Sequence, residues 1–215
     1  MGEPKRTEII LVRHGECAEN REGVFRGRSD GPLTERGVRQ AELLAEEVAR
    51  FFSPSAIFSS PLQRARNTAR AIGERLGIPV EERSGFTNMA LGPWEGQSKD
   101  LIRETYPEEW ALWIHNPERL ALKGAETLDD VQRRAYANLD HLVRLHEGKA
   151  FVVVSHRAVL KPLLAACLAI PSPYFWRLHL DTASYSVLWH ERTRGYTCAL
   201  LNQTRHLPDL VSEWT

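Results

Sequence analysis

Two four-residue apolar runs, Ile9-Ile10-Leu11-Val12 and Phe151-Val152-Val153-Val154, constrain the fold of this chain more than any other feature. A strand with one wet face alternates apolar and polar side chains, so an unbroken apolar run predicts a strand covered on both faces, as in a parallel sheet flanked by helices. Four further segments read as strands: Ala56 to Ser59, Pro79 to Glu82, Tyr185 to His190 and Tyr196 to Leu201, the last two joined at Thr193-Arg194-Gly195 as a hairpin. Helical spacing fills the intervals over Thr34 to Phe51, Pro61 to Leu76, Thr127 to His146 and Ala158 to Leu168. In the first of these, Thr34 reads as the N-cap and Val38, Ala41, Leu44, Ala45 and Val48 as the buried stripe. Strands alternating with helices predict the α/β class, a three-layer α/β/α sandwich around a mostly parallel sheet.

Residues 96 to 126 break that alternation with tryptophan, proline and charge, in Tyr106-Pro107-Glu108-Glu109-Trp110 and Trp113-Ile114-His115-Asn116-Pro117. This stretch is expected to form a small helical cap inserted over the sheet, so that residues 1–215 make a single domain with an insertion at about 96–126. Trp110 and Trp113, three apart, read as the cap's own core. Trp176 reads as an interface residue or an isolated surface aromatic, and the residues after Asn202 as a polar tail.

The 28 basic and 28 acidic side chains cancel, so no global field draws the chain to nucleic acid or to an anionic membrane, and neither is an expected partner. Anion binding must be local. The start, Met1 to Glu8, lacks the apolar core of a signal peptide, and no run approaches the roughly 18 residues that span a bilayer. Three cysteines, Cys17, Cys167 and Cys198, are an odd number without C-x-x-C spacing, which predicts a reducing cytoplasm and neither a disulfide framework nor a zinc site. His141 and His146, five apart on a helix, are poor metal partners. Gly148-Lys149 lacks the upstream glycine of a P-loop, and G-x-S-x-G, G-x-G-x-x-G and H-E-x-x-H are absent, so NTPase, serine hydrolase, dinucleotide and zincin readings fall. The oligomeric state is not readable.

Both founding runs end in a histidine, His14 and His156, and open sheets bind ligands beyond the carboxyl ends of their strands. Arg13 sets a permanent cation beside His14, and Gly15 lets the backbone approach an anion. A second basic segment, Ser60 to Ala69 with Arg64 and Arg66, opens a helix directly after a strand, where the first amides favour a phosphate.

These segments, with others in order along the chain, resemble the histidine phosphatase superfamily, also called phosphoglycerate-mutase-like. The resemblance rests on Leu11-Val12-Arg13-His14-Gly15-Glu16, then Asp30-Gly31-Pro32-Leu33-Thr34 with Gly37 and Gln40-Ala41. It continues through Ser59-Ser60-Pro61-Leu62-x-Arg64-Ala65-x-x-Thr68-Ala69, Gly92-x-Trp94-Glu95-Gly96 and Val152-Val153-Val154-Ser155-His156. It covers about Glu8 to at least Ala166. The resemblance implies a metal-independent phosphatase without a cofactor, whose ligand is a small phosphorylated metabolite or inorganic phosphate. His14 would become a phosphohistidine that water hydrolyses, with Arg13, Arg64 and His156 forming the phosphate pocket. Asn20 either contacts the phosphate or substrate, as the resemblance implies, or caps a turn.

Two positions depart from the pattern. The family's general acid is a carboxylate four residues before the first glycine of Gly92-x-Trp94-Glu95-Gly96, and here that residue is Asn88. An amide does not donate a proton to a leaving alkoxide, and general acid catalysis is worth about 10²–10⁴-fold, so turnover is expected to be slow. Glu16 or Glu82 could relay a proton instead, or the leaving group, an acyl phosphate or phosphoramidate, could need less help. The alternatives are a phospho-ligand binding or regulatory protein with little turnover, a phosphoglycerate mutase and a phosphohistidine phosphatase. The second departure is Arg157, where the family usually has glycine; it either recognises a second anionic group on the substrate or makes a surface salt bridge. Arg26 and Arg28 either reach the substrate or stay solvated in their loop.

Overall fold

The computed structural model describes residues 6–18 and 23–208. Six strands, β1 (Thr7–Arg13), β2 (Pro54–Ser59), β3 (Val80–Glu82), β4 (Ala150–Ser155), β5 (Tyr185–Glu191) and β6 (Gly195–Gln203), form one sheet in the order β3-β2-β4-β1-β5-β6. The first four run parallel, while β5 and β6 add an antiparallel pair at one edge. The two founding apolar runs are β1 and β4, central neighbours in register from Ile9 opposite Phe151 to Val12 opposite Val154. Because side chains alternate along a strand, Ile9, Leu11, Phe151 and Val153 enter one core and Ile10, Val12, Val152 and Val154 the other.

Helices cover both faces, as an unbroken apolar run requires. The helices are α1 (Glu35–Phe51), α2 (Gln63–Leu76), α3 (Lys99–Thr105), α4 (Pro107–His115), α5 (Leu128–Leu145) and α6 (Arg157–Cys167). Residues of α1 and α2 pack into the Ile10 core, and those of α5 and α6 into the Ile9 core. The expected three layers are therefore present.

Thr34 caps α1, its hydroxyl accepting from Gly37 N at 3.0 Å. The buried stripe runs through Gly37, Gln40, Ala41, Leu44, Ala45 and Val48. Val38, expected in that stripe, is 47% exposed. One residue turns the helix by about 100°, so a stripe that begins at Gly37 carries Val38 outward. The reason it begins at Gly37 is close approach: a Cβ there would collide with the Glu16 carbonyl oxygen. Gln40 Oε1 also accepts from Glu16 N at 2.8 Å, so α1 is pressed against the loop that follows His14.

The stretch expected to be a helical insertion holds α3, α4 and a short 3-10 turn at Pro117–Arg119. Its tryptophans do not form a separate core. Trp113 is buried and meets Phe25, Phe175 and Trp176 at ring-centroid distances of 5.5, 5.4 and 5.3 Å. Helices of seven and nine residues bury too little by themselves, so they close on aromatics of the main body. The polar tail is also revised: β6 runs through Gln203, Leu207 is buried in the α1-side core, and His206 Nε2 donates to Ala183 O at 3.0 Å. Among the described residues, no helix is long and apolar enough to cross a membrane.

Candidate active site

The register of β1 on β4 builds the centre of the site. Arg13 lies opposite Ser155, and the next residue of each strand is a histidine. His14 N donates to Ser155 O at 3.0 Å, and the His14 and His156 rings stand 5.0 Å apart between centroids. Two residues far apart in sequence thus meet because parallel strands in register end together.

His14 is buried, with Nδ1 2.7 Å from Gly15 O. A carbonyl only accepts, so Nδ1 carries the proton and Nε2 keeps its lone pair. Burial lowers the His14 pKa well below the usual histidine value, and His156, Arg64 and Arg13 lower it further against a small opposing effect of the Gly15 hydrogen bond. The ring is neutral and nucleophilic near neutral pH. Gly15 N donates to Thr68 Oγ1 at 3.1 Å, and a Cβ on Gly15 would lie 2.6 Å from Gly37 O, so this backbone has one place to sit.

His156 Nε2 lies 2.8 Å from Ser60 Oγ, which also accepts from Leu62 N at 3.3 Å. This arrangement favours the hydroxyl proton on Nε2 and an N–H at Nδ1, which is buried without a hydrogen-bond partner. Burial, then Arg64, Arg26, Arg13 and Arg134, lowers the His156 pKa well below the usual value. Arg13 Nη1 donates to Leu180 O at 2.7 Å, and Arg64 donates to Ser29 O at 2.7 Å and Gly27 O at 3.1 Å. A carbonyl fixes the direction of a guanidinium without cancelling its charge. The α2 end differs from expectation: Asp30 Oδ1 takes the Gln63 N–H at 2.6 Å, so Arg64 supplies its side chain while the chain's own carboxylate occupies the helix start.

These four side chains open on a cavity of about 790 Å³, also lined by Asn88, Arg26 and Arg157. That volume suits a small ligand. Arg28 is not in the lining; it donates to Asn88 O and Glu126 Oε2, each at 3.2 Å. Asn20 lies outside the described residues. Trp110, Trp113, Phe175 and Trp176 wall the cavity, although the tryptophans read from sequence as cap core or surface. Trp176 is held by its Nε1 donating to Trp113 O at 2.8 Å. No periodicity marked this wall, because its rings come from the short helix α4 and a single 3-10 turn at Phe175–Arg177.

Asn88 Nδ2 donates to Gly27 O at 2.7 Å, the carbonyl that Arg64 also uses, while Asn88 Oδ1 is buried without a partner. Its backbone is braced by Arg134 of α5, which donates to Asn88 O at 3.3 Å, to Gly85 O at 2.8 Å and to both oxygens of Glu126 at 2.7 and 3.0 Å. Arg134 escaped the sequence reading because it sits among the charges of an amphipathic helix. Of the two carboxylates considered as relays, Glu16 lines the cavity, with Thr34 Oγ1 at 2.9 Å and Arg36 at 3.7 Å. Glu82 does not; it is exposed and pairs with Arg66 at 3.4 Å. Burial pushes the Glu126 carboxyl up, but Arg134, the Ala90 amide and Arg28 outweigh it and hold the group below the usual range, as an anion. Glu95 accepts from Leu91 N at 3.0 Å and Arg28 N at 3.2 Å, and Trp94 is fully buried, so the Gly92-to-Gly96 segment clamps the rim. Among the described residues, no three His, Cys, Asp or Glu side chains come together in a way that could hold a metal ion.

The model of the histidine phosphatase superfamily (branch 1) matches residues 9–204. Phosphoserine phosphatase 1 of Hydrogenobacter thermophilus is 34% identical over 206 residues, covering 96% of this chain and 97% of that protein. Among solved structures, Bacillus stearothermophilus YhfR superposes with a TM-score of 0.88 at 30% identity, covering 93% of this chain and 98% of that one. A mycobacterial glucosyl-3-phosphoglycerate phosphatase bound to VO3 superposes with a TM-score of 0.84 at 27% identity, covering 92% and 99%.

Proposed function

This chain belongs to the histidine phosphatase superfamily (branch 1), and from that premise we propose that it hydrolyses the phosphate ester of a small metabolite through a phosphohistidine on His14. The observation that carries the assignment is the meeting of a neutral His14 and His156 with Arg13 and Arg64 on one cavity floor. His14 Nε2 forms a bond to phosphorus as the ester P–O bond breaks, and the alkoxide leaves with the electron pair. Arg13, Arg64 and His156 Nδ1–H stabilise charge on the equatorial oxygens. Water then attacks phosphorus, breaks the N–P bond and returns His14 and inorganic phosphate.

The departing oxygen must gain a proton, and Asn88 supplies only an amide already engaged with Gly27 O. Turnover is therefore slow for alkyl esters and faster for phosphates whose leaving group departs as a stable anion. The same residue favours the second reading, a phospho-ligand binder with little turnover. We take residues 96–126 as a cap on a single domain, since Trp110, Trp113 and Ile114 of that stretch line the cavity. Three free cysteines support a cytoplasmic location.

The test is labelling with a phosphorus-labelled substrate, quenched in base, in which phosphohistidine survives. The expected label maps to His14 and is absent from His14→Ala. Hydrolysis by His14→Ala at the wild-type rate would overturn the assignment. Because the His14 pKa is lowered, the neutral nucleophile persists on acidification, so kcat/KM holds until well below about pH 6.5.

A further inference from the structure

The helix α6 carries a charge that the phosphoryl chemistry does not use. Its charged residues are Arg157 and Lys161, four apart and so on one helical face, in an otherwise apolar sequence. Lys161 is 1% exposed. Among the described residues no carboxylate pairs with it and no acceptor takes a hydrogen bond from its ammonium; Nζ instead lies 4.6 Å from the Phe175 ring centroid and 5.0 Å from that of Trp176. Both rings wall the cavity and both are fixed, Phe175 by its amide on Glu118 Oε1 at 2.8 Å and Trp176 by Trp113 O. Glu118 accepts the Tyr174 and Phe175 amides through Oε1 and keeps Oε2 buried without a hydrogen-bond partner, while Asp181 pairs with His179 and Asn202.

A buried ammonium without an acceptor is costly, and ring faces offset only part of that cost. Such a group is half of an ion pair. Helical side chains lean toward the N-terminus, which carries the Lys161 head back toward Arg157 and Ala158 of the cavity lining. Burial, then Arg157 and Arg13, lowers the Lys161 pKa to about 7.

We propose that Arg157 and Lys161 form a second anion subsite of this cavity, at the Phe175–Trp176 wall, which selects substrates carrying a carboxylate besides the phosphoryl group. The proposal rests on the phosphatase reading of the floor. One guanidinium fork and one ammonium, bounded by ring faces, match the two oxygens of a carboxylate, whereas a second phosphoryl group would bring three oxygens and up to two charges. Lys161 lies five residues beyond His156, about 7.5 Å along the helix axis before its side chain leans back, which is the reach of a phosphorylated acid of three or four carbons.

The experiment is calorimetric titration of the full chain with 4-phosphonobutanoate and with butylphosphonate, neither of which can be hydrolysed, so binding is read independently of turnover. At about pH 6.5 the carboxylated ligand is expected to bind about tenfold tighter. Lys161→Met lowers the ratio of the two affinities severalfold, to the share that Arg157 supplies, and Lys161→Arg retains more of the preference. A wild-type pH series provides a reading that needs no variant. The Lys161 ammonium attracts a carboxylate and the neutral amine does not, so the ratio declines as pH rises past about 7 toward the share that Arg157 alone supplies. The charges acting on Lys161 are Arg157 on its own helix and Arg13 on β1, both permanent, while burial pushes the Tyr174 phenol up and keeps it neutral. A preference unchanged in Lys161→Met, or both affinities falling together, would overturn the subsite in favour of a structural lysine. Tighter binding of propane-1,3-bisphosphonate would overturn the carboxylate assignment. Equal binding of both monophosphonates removes only this subsite, whereas binding of neither removes the phosphate pocket as well.

Discussion

The floor and the rim of the cavity are built by different means. On the floor, Arg13, His14, Arg64 and His156 are all buried, and each is tied to a carbonyl or hydroxyl of the strands, the helix starts or the adjoining loops. At the rim, Asn88, Arg28 and Glu126 sit on connecting segments, with the Arg28 side chain 46% exposed. Sheet register dictates the floor, so a change there disturbs fold and chemistry together. The rim is loop, held by Arg134 and Glu95, and an amide can replace a carboxylate without disturbing the layers beneath. In the proposed mechanism the difference separates two functions: gripping and attacking phosphorus would fall to the floor, and protonating the leaving group to the rim.

The largest effect that could break this division is expected at His14. Substitution by alanine removes the nucleophile and should lower kcat by about 10⁴-fold or more, measured on an activated aryl phosphate. Residual hydrolysis near the wild-type rate would mean that the floor does not carry the chemistry. Next in size is the rim. Asn88→Glu should raise kcat for alkyl phosphates by about 10²–10⁴-fold and change nitrophenyl phosphate little, since nitrophenolate leaves without a proton. An equal gain on both substrates would show that the substitution acts through binding.

Arg64→Ala comes third. Losing an equatorial stabiliser costs about 10²–10³-fold in kcat. It also frees the Ser29 carbonyl and leaves the Gly27 carbonyl to Asn88 alone, so the loop that carries Arg26 should loosen, read as faster amide exchange there. If kcat falls and exchange does not change, the floor and the loop are less coupled than their shared carbonyl implies.

The floor was legible in the sequence because its residues follow from rules that act locally and then align. Two apolar runs predict two central strands, and parallel register makes His14 and His156 neighbours. The rim was legible only at Asn88, which stood out against a resemblance. Arg134 and Lys161 were not legible, the first because one basic residue on a charged helix face carries no mark of what it touches. Lys161 did leave a trace, a lone lysine in an apolar helix four residues after Arg157, but its burial against Phe175 and Trp176 depends on a distant turn. Val38 failed for a related reason: the stripe of α1 is set by where the helix meets Glu16, which spacing within the helix does not record.

That contact supplies the smallest expected effect, and it concerns stability. Gly37 allows α1 to press on the Glu16 carbonyl, directly behind the loop that orients His14. A methyl group in that space meets backbone that cannot rotate away, so Gly37→Ala should destabilise the protein by about 1–3 kcal/mol in urea denaturation, despite the gain in helix propensity that alanine brings. Relief of the clash requires α1 or the loop to shift, and either movement displaces Gly15, the acceptor that fixes the His14 tautomer. Activity per folded molecule should therefore fall as well, by about tenfold, in the presence of full phosphate binding by Arg64. A stabilised Gly37→Ala protein would show that α1 is not seated on the loop as tightly as the collision implies. A destabilised one with unchanged kcat would show instead that the floor tolerates motion beneath it, and the contrast with the rim would then rest on side chains alone.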